Sequence, residues 1–312
     1  MRVAVMGTGG VGGYFGGLLA RDGQEVTFIA RGEHLEAIRR RGLRVLSDLH
    51  GEFTVRAPAT DDTGQVGPVD LVLYAVKMYH NRGAIPALPP MVGPETVVLT
   101  LQNGIDNADL LAQALGRRHV MAGMSIVQAR IREPGVVEQR GHVGRVVFGE
   151  LEGGVTPRGR RLQEVFQRAG WNSELSDDVT VALWRKFIYL TGSAGVNALA
   201  RVTYGELRTT PETRSLIRQA YQEIVDVGRA AGVDLPADIM DWCMSALDDF
   251  PAEGMATLAK DFMEGRPVEL EGLTGTVVRM GRELGVATPV NEAIYALLKP
   301  LALRIEKGRR GG

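Results

Sequence analysis

Short runs rich in Val, Ile and Leu alternate with amphipathic stretches through the first half of the chain. Val3–Met6, Glu25–Ile29, Leu71–Val76 and Thr96–Leu101 have the pattern of strands buried on both faces of a parallel sheet. Between them, Gly12–Asp22 and Asp106–Leu115 carry helical spacing, and this βαβ rhythm predicts a doubly wound sheet. Val120–Arg130, Gly135–Gln139 and Gly144–Glu150 add antiparallel strands with glycine-marked turns, and Arg158–Ala169 adds a helix. From about Asp177 strand patterns nearly vanish. Helices are expected over Asp178–Leu199, Thr210–Ala231, Pro236–Leu247, Met255–Glu264, Glu271–Leu284 and Pro289–Leu303. Asp177 or Asp178 suits the first cap, and Pro236 and Pro289 suit first-turn positions. The expected fold class is therefore an α/β Rossmann-type doubly wound sheet over residues 1–176, followed by an all-α C-terminal domain over 177–312.

Composition narrows the function. The chain has 312 residues, 45% hydrophobic and 23% charged, with a formal net charge of -1. That balance gives no nucleic-acid footprint. The basic end at Lys307, Arg309 and Arg310 reads as a solvated tail. Cys243 is the only cysteine, which excludes an intrachain disulfide. The apolar opening Val3–Met6 is too short for a signal-peptide core, and no run approaches the roughly 20 residues that span a bilayer. A cytoplasmic location without a membrane partner is the expectation.

Gly7-Thr8-Gly9-Gly10-Val11-Gly12 fits G-x-G-x-x-G. With 40 glycines in the chain the match alone is weak, but it follows an apolar strand and opens a helix, where the pattern has a mechanism. The first glycine permits the tight turn, the second lets backbone approach a pyrophosphate, and the third closes helix on sheet. The helix N-terminus then offers N–H groups to phosphates. The second strand ends Phe28-Ile29-Ala30-Arg31-Gly32, with no acid at its tip to hold a ribose 2′-hydroxyl. Arg31 suits a 2′-phosphate instead, which favours NADP(H). Lys77 and Asn103 follow the next two strands, at the carboxyl ends where such sheets bind ligands.

Assembled, these residues resemble the ketopantoate reductase family. The resemblance runs over nearly the whole chain, through the Gly7–Gly12 loop, Arg31, Val76-Lys77, Asn103-Gly104, Leu183-Trp184-Arg185-Lys186-Phe187, Gly205-Glu206-Leu207 and Pro267-Val268-Glu269-Leu270-Glu271. It implies a Rossmann domain and a helical domain with the active site in the cleft between them, and NADPH-dependent reduction of 2-dehydropantoate, a small 2-oxo acid. Lys186 would be the general acid and Glu269 the carboxylate that positions it and the substrate. Asn103 would sit near the nicotinamide and substrate, Ala129 would give a backbone contact to cofactor, and Thr257 would keep a substrate-binding hydroxyl. A homodimer and a monomer both fit. A ketone that accepts hydride needs a proton donor at oxygen. All five histidines lie in the first domain, so a lysine donor is the natural alternative. No metal site is evident.

The chain departs from the family at three positions. Asparagines expected four and eight residues after the lysine, and before Gly-Glu-Leu, are Leu190, Ala194 and Tyr204. Ser193 and Asn197 return within roughly 20° of the Lys186 direction on a helix, and are expected as replacement substrate contacts. Two other functions stay open: a dehydrogenase or reductase of a more apolar 2-oxo or 2-hydroxy acid, and a non-catalytic NADPH-binding regulator.

Overall fold

A computed structural model describes residues 1–310, for Arg309 and Arg310 the backbone only. The side chains at the basic end foreseen as a solvated tail thus lie partly outside the described residues. The chain divides into two compact units, Met1–Val179 and Thr180 onward.

The first unit runs β1 (Arg2–Met6), α1 (Gly10–Arg21), β2 (Glu25–Ile29), α2 (Gly32–Arg41), β3 (Leu43–Ser47), β4 (Gly51–Val55), β5 (Ala59–Thr60), β6 (Val69–Tyr74), α3 (Asn81–Ala84), β7 (Val92–Thr100), α4 (Asn107–Leu115), β8 (Val120–Glu133), β9 (Val136–Glu150), α5 (Pro157–Arg168) and β10 (Asn172–Leu175). They form one sheet in the order β4-β3-β9-β8-β7-β6-β1-β2-β5, with β10 paired to β9. β8, β7, β6, β1, β2 and β5 are mutually parallel. β2 lies on one side of β1 and β6 on the other, so the chain reverses its direction of winding at β1. The crevice beyond the carboxyl ends of β1 and β6 is therefore the topological switch point, where open α/β sheets bind ligands.

The expected parallel core is present, and its buried strands are the apolar runs. Two features differ from the expectation. Gly135–Gln139 and Gly144–Glu150 are one strand, β9, because residues 141–143 form an outward bulge rather than a turn. Its partner in β8 steps from Val127 opposite Gly144 to Gln128 opposite Arg140. An antiparallel β3–β4 hairpin joins the sheet through a parallel β3–β9 pairing. One face of the sheet carries an aromatic knot. Phe166 of α5 stacks on Trp171 at 4.1 Å, and the Trp171 indole donates to the Phe15 carbonyl of α1.

The second unit is α6 (Val179–Ala200), α7 (Tyr204–Thr209), α8 (Pro211–Ala230), α9 (Ile239–Asp248), α10 (Thr257–Met263), α11 (Thr274–Leu284) and α12 (Pro289–Arg310). Pro289 opens α12 as expected, whereas Pro236 lies before α9 in a turn whose carbonyl accepts from Ile239 N–H. The unforeseen α7 carries a capping box, Thr203 with Glu206, which satisfies two orphan N–H groups. α6 forms the axis. A methyl at Gly192 would stand 2.5 Å from the Tyr221 ring of α8, and one at Gly195 would stand 2.8 Å from Ile294 of α12. The buried Glu223 carboxylate of α8 accepts from the Val290 and Asn291 N–H groups and the Asn291 amide, capping α12. No helix among the described residues is long and apolar enough to cross a membrane.

His34 ties α2 to the β8–β9 turn. Its Nδ1 accepts from Gly135 N–H at 3.0 Å. Its buried Nε2 lies towards the Thr8 backbone, short of a full hydrogen bond. Burial holds its pKa below the ordinary histidine value, so the folded state prefers neutral imidazole. Protonation would also remove the acceptor that Gly135 uses. Above about pH 6.5 both folded and unfolded forms are neutral and the group contributes no pH dependence; below it the unfolded chain takes up the proton first. Denaturant unfolding should therefore show stability falling as pH drops from about 7.5 to about 5.5. In His34→Gln, which keeps an acceptor without titrating, that slope should be shallower; an unchanged slope would contradict the assignment.

Candidate active site

The loop from β1 to α1 forms at the switch point by close approach of backbone to backbone. Gly7 adopts φ +96°, and a methyl there would stand 2.8 Å from the Val76 amide nitrogen, in the loop after β6. Gly12 would place one 2.2 Å from the Gly7 carbonyl oxygen, and Gly10 one 2.2 Å from the Ala129 carbonyl oxygen of β8. Only hydrogen fits at these points. Gly9 differs: it sits at φ -88° with nothing within 4 Å of where a methyl would be. Three glycines thus close the structure around the loop, and the fourth leaves space open.

Gly13 N–H makes the first bond back to Gly9. The N–H groups of Gly10, Val11 and Gly12 therefore stand outside the helical ladder. The first turn of α1 has no acidic residue, so the positive end of the helix dipole is uncancelled. Thr8 is buried, and both its N–H and its hydroxyl donate to the Ile29 carbonyl at 3.0 Å. Its hydroxyl thus pins the loop to the end of β2.

Arg31 is the N-cap residue of α2, exposed beyond the end of β2. Among the described residues its guanidinium has no hydrogen-bond or ion-pair partner. An open glycine, free N–H groups, an acid-free β2 tip and an unengaged arginine are the donor set that a phosphorylated dinucleotide requires. The residues fit NADP(H).

Lys77 and Asn103 are both half-buried, in the loops after β6 and β7. β6 ends at Tyr74, two residues short of the expected strand end. Sequence reasoning missed the polar chain that links these two loops. Tyr74 hydroxyl donates to Asn81 Oδ1 at 3.0 Å, Gln102 Nε2 to the same oxygen at 2.8 Å, and Asn81 Nδ2 to Asn107 Oδ1 at 2.9 Å. No local motif marks these residues, because their partners meet only in the folded sheet.

In the helical unit Lys186 of α6 and Glu269, in the extended segment before α11, are each more than nine-tenths buried. Ionisable side chains are seldom so deeply buried without a role or a partner. Thr257 is exposed at the first position of α10. Ser193 and Asn197, expected as substrate contacts, have protein partners in this structure. Both are fully buried. Asn197 Nδ2 donates to the Val202 carbonyl at 2.6 Å and its Oδ1 accepts from Ala256 N–H at 2.8 Å. Its amide is committed to holding the end of α6, where Arg201 has φ 57°, and the start of α10. Ser193 donates back to the Tyr189 carbonyl and lies beside the Tyr204 and Tyr221 phenols. Helical angle gives a bearing, and in this structure each of these side chains is engaged by a neighbour.

Where asparagines were expected, the surroundings are aromatic. Tyr204 and Phe250 have ring centroids 4.4 Å apart, Tyr189 and Phe250 5.8 Å, and Tyr189 and Trp242 5.6 Å. Burial raises the Tyr189 phenol to about 12 and pushes the Tyr204 phenol higher still. Both stay neutral across the physiological range.

The two kinds of glycine give a clean test. Gly9→Ala should leave unfolding free energy within about 0.5 kcal/mol of wild type, yet weaken NADPH binding at least about tenfold by filling the approach to the pyrophosphate. Fluorescence titration of NADPH beside denaturant unfolding measures both. Wild-type affinity in Gly9→Ala would contradict the cradle.

Comparison with known proteins agrees with this geometry. Residues 3–153 match the family model described as Ketopantoate reductase PanE/ApbA, and residues 178–302 match that of its C-terminal domain. A crystal structure of a PanE/ApbA family ketopantoate reductase from Ralstonia eutropha JMP134 superposes with a TM-score of 0.90 at 34% identity, covering 98% of this chain and 100% of the other. A 2-dehydropantoate 2-reductase from Halobacterium salinarum is 30% identical over 96% of this chain and 98% of its own length. The uncharacterized oxidoreductase YkpB of Bacillus subtilis is 27% identical, also over 96% and 98%. With both halves matched, the chain belongs to the ketopantoate reductase family, whose members are NADP-dependent oxidoreductases acting on CH–OH groups.

Proposed function

We propose that this protein reduces 2-dehydropantoate to (R)-pantoate with NADPH, and that Lys186 donates the proton. The observation that carries the reading is the deep burial of Lys186 together with Glu269 in the helical unit. Glu223 and Asp261, also buried in this unit, serve a helix cap and an ion pair with Arg266; a protein that only bound the nucleotide would have no need of a buried lysine there. That weighs against the non-catalytic regulator.

Bound NADPH supplies a hydride to the C2 carbon of the 2-oxo acid. As the carbonyl π bond breaks, negative charge builds on oxygen, and the Lys186 ammonium transfers a proton to it, leaving a neutral amine and the hydroxy acid. Proton donation of this kind is worth about 10²- to 10⁴-fold in rate. Glu269 orients the ammonium and a substrate polar group. Asn103 contributes to both cofactor and substrate, Lys77 and the Ala129 backbone contact cofactor, Arg31 holds the 2′-phosphate, and the exposed Thr257 hydroxyl binds substrate. Ser193 and Asn197 act as braces for the lysine helix.

A second reading concerns the substrate alone. Leu190, Ala194 and Tyr204 replace three amide side chains, and Tyr189, Tyr204, Trp242 and Phe250 pack as an aromatic cluster. Losing donors to a substrate hydroxyl costs orders of magnitude in discrimination, whereas apolar contact favours larger hydrocarbon side chains. A 2-oxo acid with a branched or aromatic side chain is the alternative.

Purified wild type and Lys186→Ala should be assayed by NADPH absorbance loss on 2-dehydropantoate and on branched and aromatic 2-oxo acids. Lys186→Ala should lower kcat about 10²- to 10⁴-fold and leave NADPH affinity within about twofold. The best wild-type kcat/KM identifies the side-chain class. Wild-type turnover in the variant would refute the lysine acid; NADPH binding with no turnover on any substrate would favour the regulator.

A further inference from the structure

We infer that the amide chain Tyr74–Asn81–Gln102–Asn107 positions Lys77 and Asn103 for the cofactor; this rests on the NADPH-binding reading above. The chain has a fixed polarity. Asn81 Oδ1 accepts from two donors, the Tyr74 hydroxyl and Gln102 Nε2, so the atom facing them is the oxygen and the nitrogen faces Asn107. Asn107 accepts that bond on Oδ1 and donates its own Nδ2 to the Asn103 carbonyl at 2.5 Å. At the other end Gln102 Nε2 also donates to the Val76 carbonyl at 2.9 Å, and Thr100 hydroxyl donates to Gln102 Oε1 at 3.3 Å.

Both ends of the chain are therefore main-chain carbonyls. One belongs to the Val76–Lys77 peptide, the other to Asn103. These loops follow β6 and β7, beside the switch point, and Val76 is the residue that Gly7 abuts. Past the last main-chain bond of this strand pair, Leu101 N–H to the Tyr74 carbonyl, the side chains between the loops bridge one to the other.

Tyr74, Gln102 and Asn107 are buried. Amides in such a place cost stability unless each donor and acceptor is met. Leucine-sized side chains could plug the same space. What the amides add is direction, since each bond holds its partner within a narrow range of angle and distance. A misplacement near 1 Å at a reacting group can cost about 10²-fold, so such a spacer belongs beside a cofactor site.

Asn81→Asp tests this without changing volume. The introduced carboxylate still accepts from Tyr74 and Gln102, but it cannot donate to Asn107. Asn107 must turn its nitrogen towards that carboxylate and so release Asn103. Thr96→Val is the control, since it removes a buried hydroxyl that bonds Gly93 N–H and the Val69 carbonyl at the amino ends of β6 and β7, away from both loops. NADPH affinity is read by fluorescence, fold stability by thermal unfolding, and turnover separately.

Asn81→Asp should raise the NADPH Kd at least about fivefold and lower kcat about tenfold or more. Thr96→Val should lower Tm with Kd within about twofold of wild type. Asn107→Asp, whose carboxylate repels the Asn103 carbonyl, should reproduce the Asn81→Asp affinity loss and serves if that variant does not fold. Wild-type Kd in Asn81→Asp, or Kd shifts that simply follow the Tm losses in all three variants, would overturn the positioning role alone. A wild type that fails to bind NADPH would overturn both it and the reading on which it rests.

Discussion

Contact between main chains at three glycines is the constraint on which the rest of this structure depends. A methyl at Gly7, Gly10 or Gly12 would stand within 3 Å of backbone from the β6 loop, β8 or the β1 loop itself. These contacts draw the ends of β1, β6 and β8 to one point and set the N-terminus of α1 above it. The consequence is electrostatic as well as steric. A helix end with free N–H groups and no acid in its first turn remains positive towards the crevice. Any larger side chain at these three places would push the strand ends apart before it touched a ligand.

Around that point the polar groups divide their work. Thr8 and His34 use their hydrogen bonds to fix loops, Arg31 keeps its guanidinium free, and the Asn81 chain spans the next two loops. The helical unit repeats the division. Asn197 commits its whole amide to the turn after α6 and the start of α10, while Lys186 and Glu269 are buried ionisable groups to which the proposed function assigns the chemistry. Polar groups committed to loops and helix ends thus stand apart from the few assigned to ligands under the proposed function, a division that suits a preorganised site.

The sequence made the parallel core legible because β1, β2, β6 and β7 are buried along most of their carboxyl-terminal halves and carry mainly apolar residues there. It was poor at the sheet margin. β3 alternates only over its first three residues and β4 buries only its last, each within a run of five, too short and too exposed to stand out from loop. The bulge at residues 141–143 looked like a turn because glycine serves both. Of the site, the glycine loop and Arg31 were readable from local pattern, and Lys186 and Glu269 from resemblance. For Ser193 and Asn197 helical geometry gave a bearing but not the neighbours that engage their polar atoms. The Asn81 chain was invisible: 26 residues separate Asn81 from Asn107, and only strand pairing brings them together.

Under the proposed function the backbone cradle at the β1–α1 loop and Arg31 together select the phosphorylated dinucleotide. Titrating the wild-type protein with NADPH and NADH in parallel, at one ionic strength and following nicotinamide fluorescence, tests that selection directly. The bidentate grip of Arg31 on a 2′-phosphate predicts NADPH binding at least about tenfold tighter. Equal affinities, or tighter binding of NADH, would contradict it.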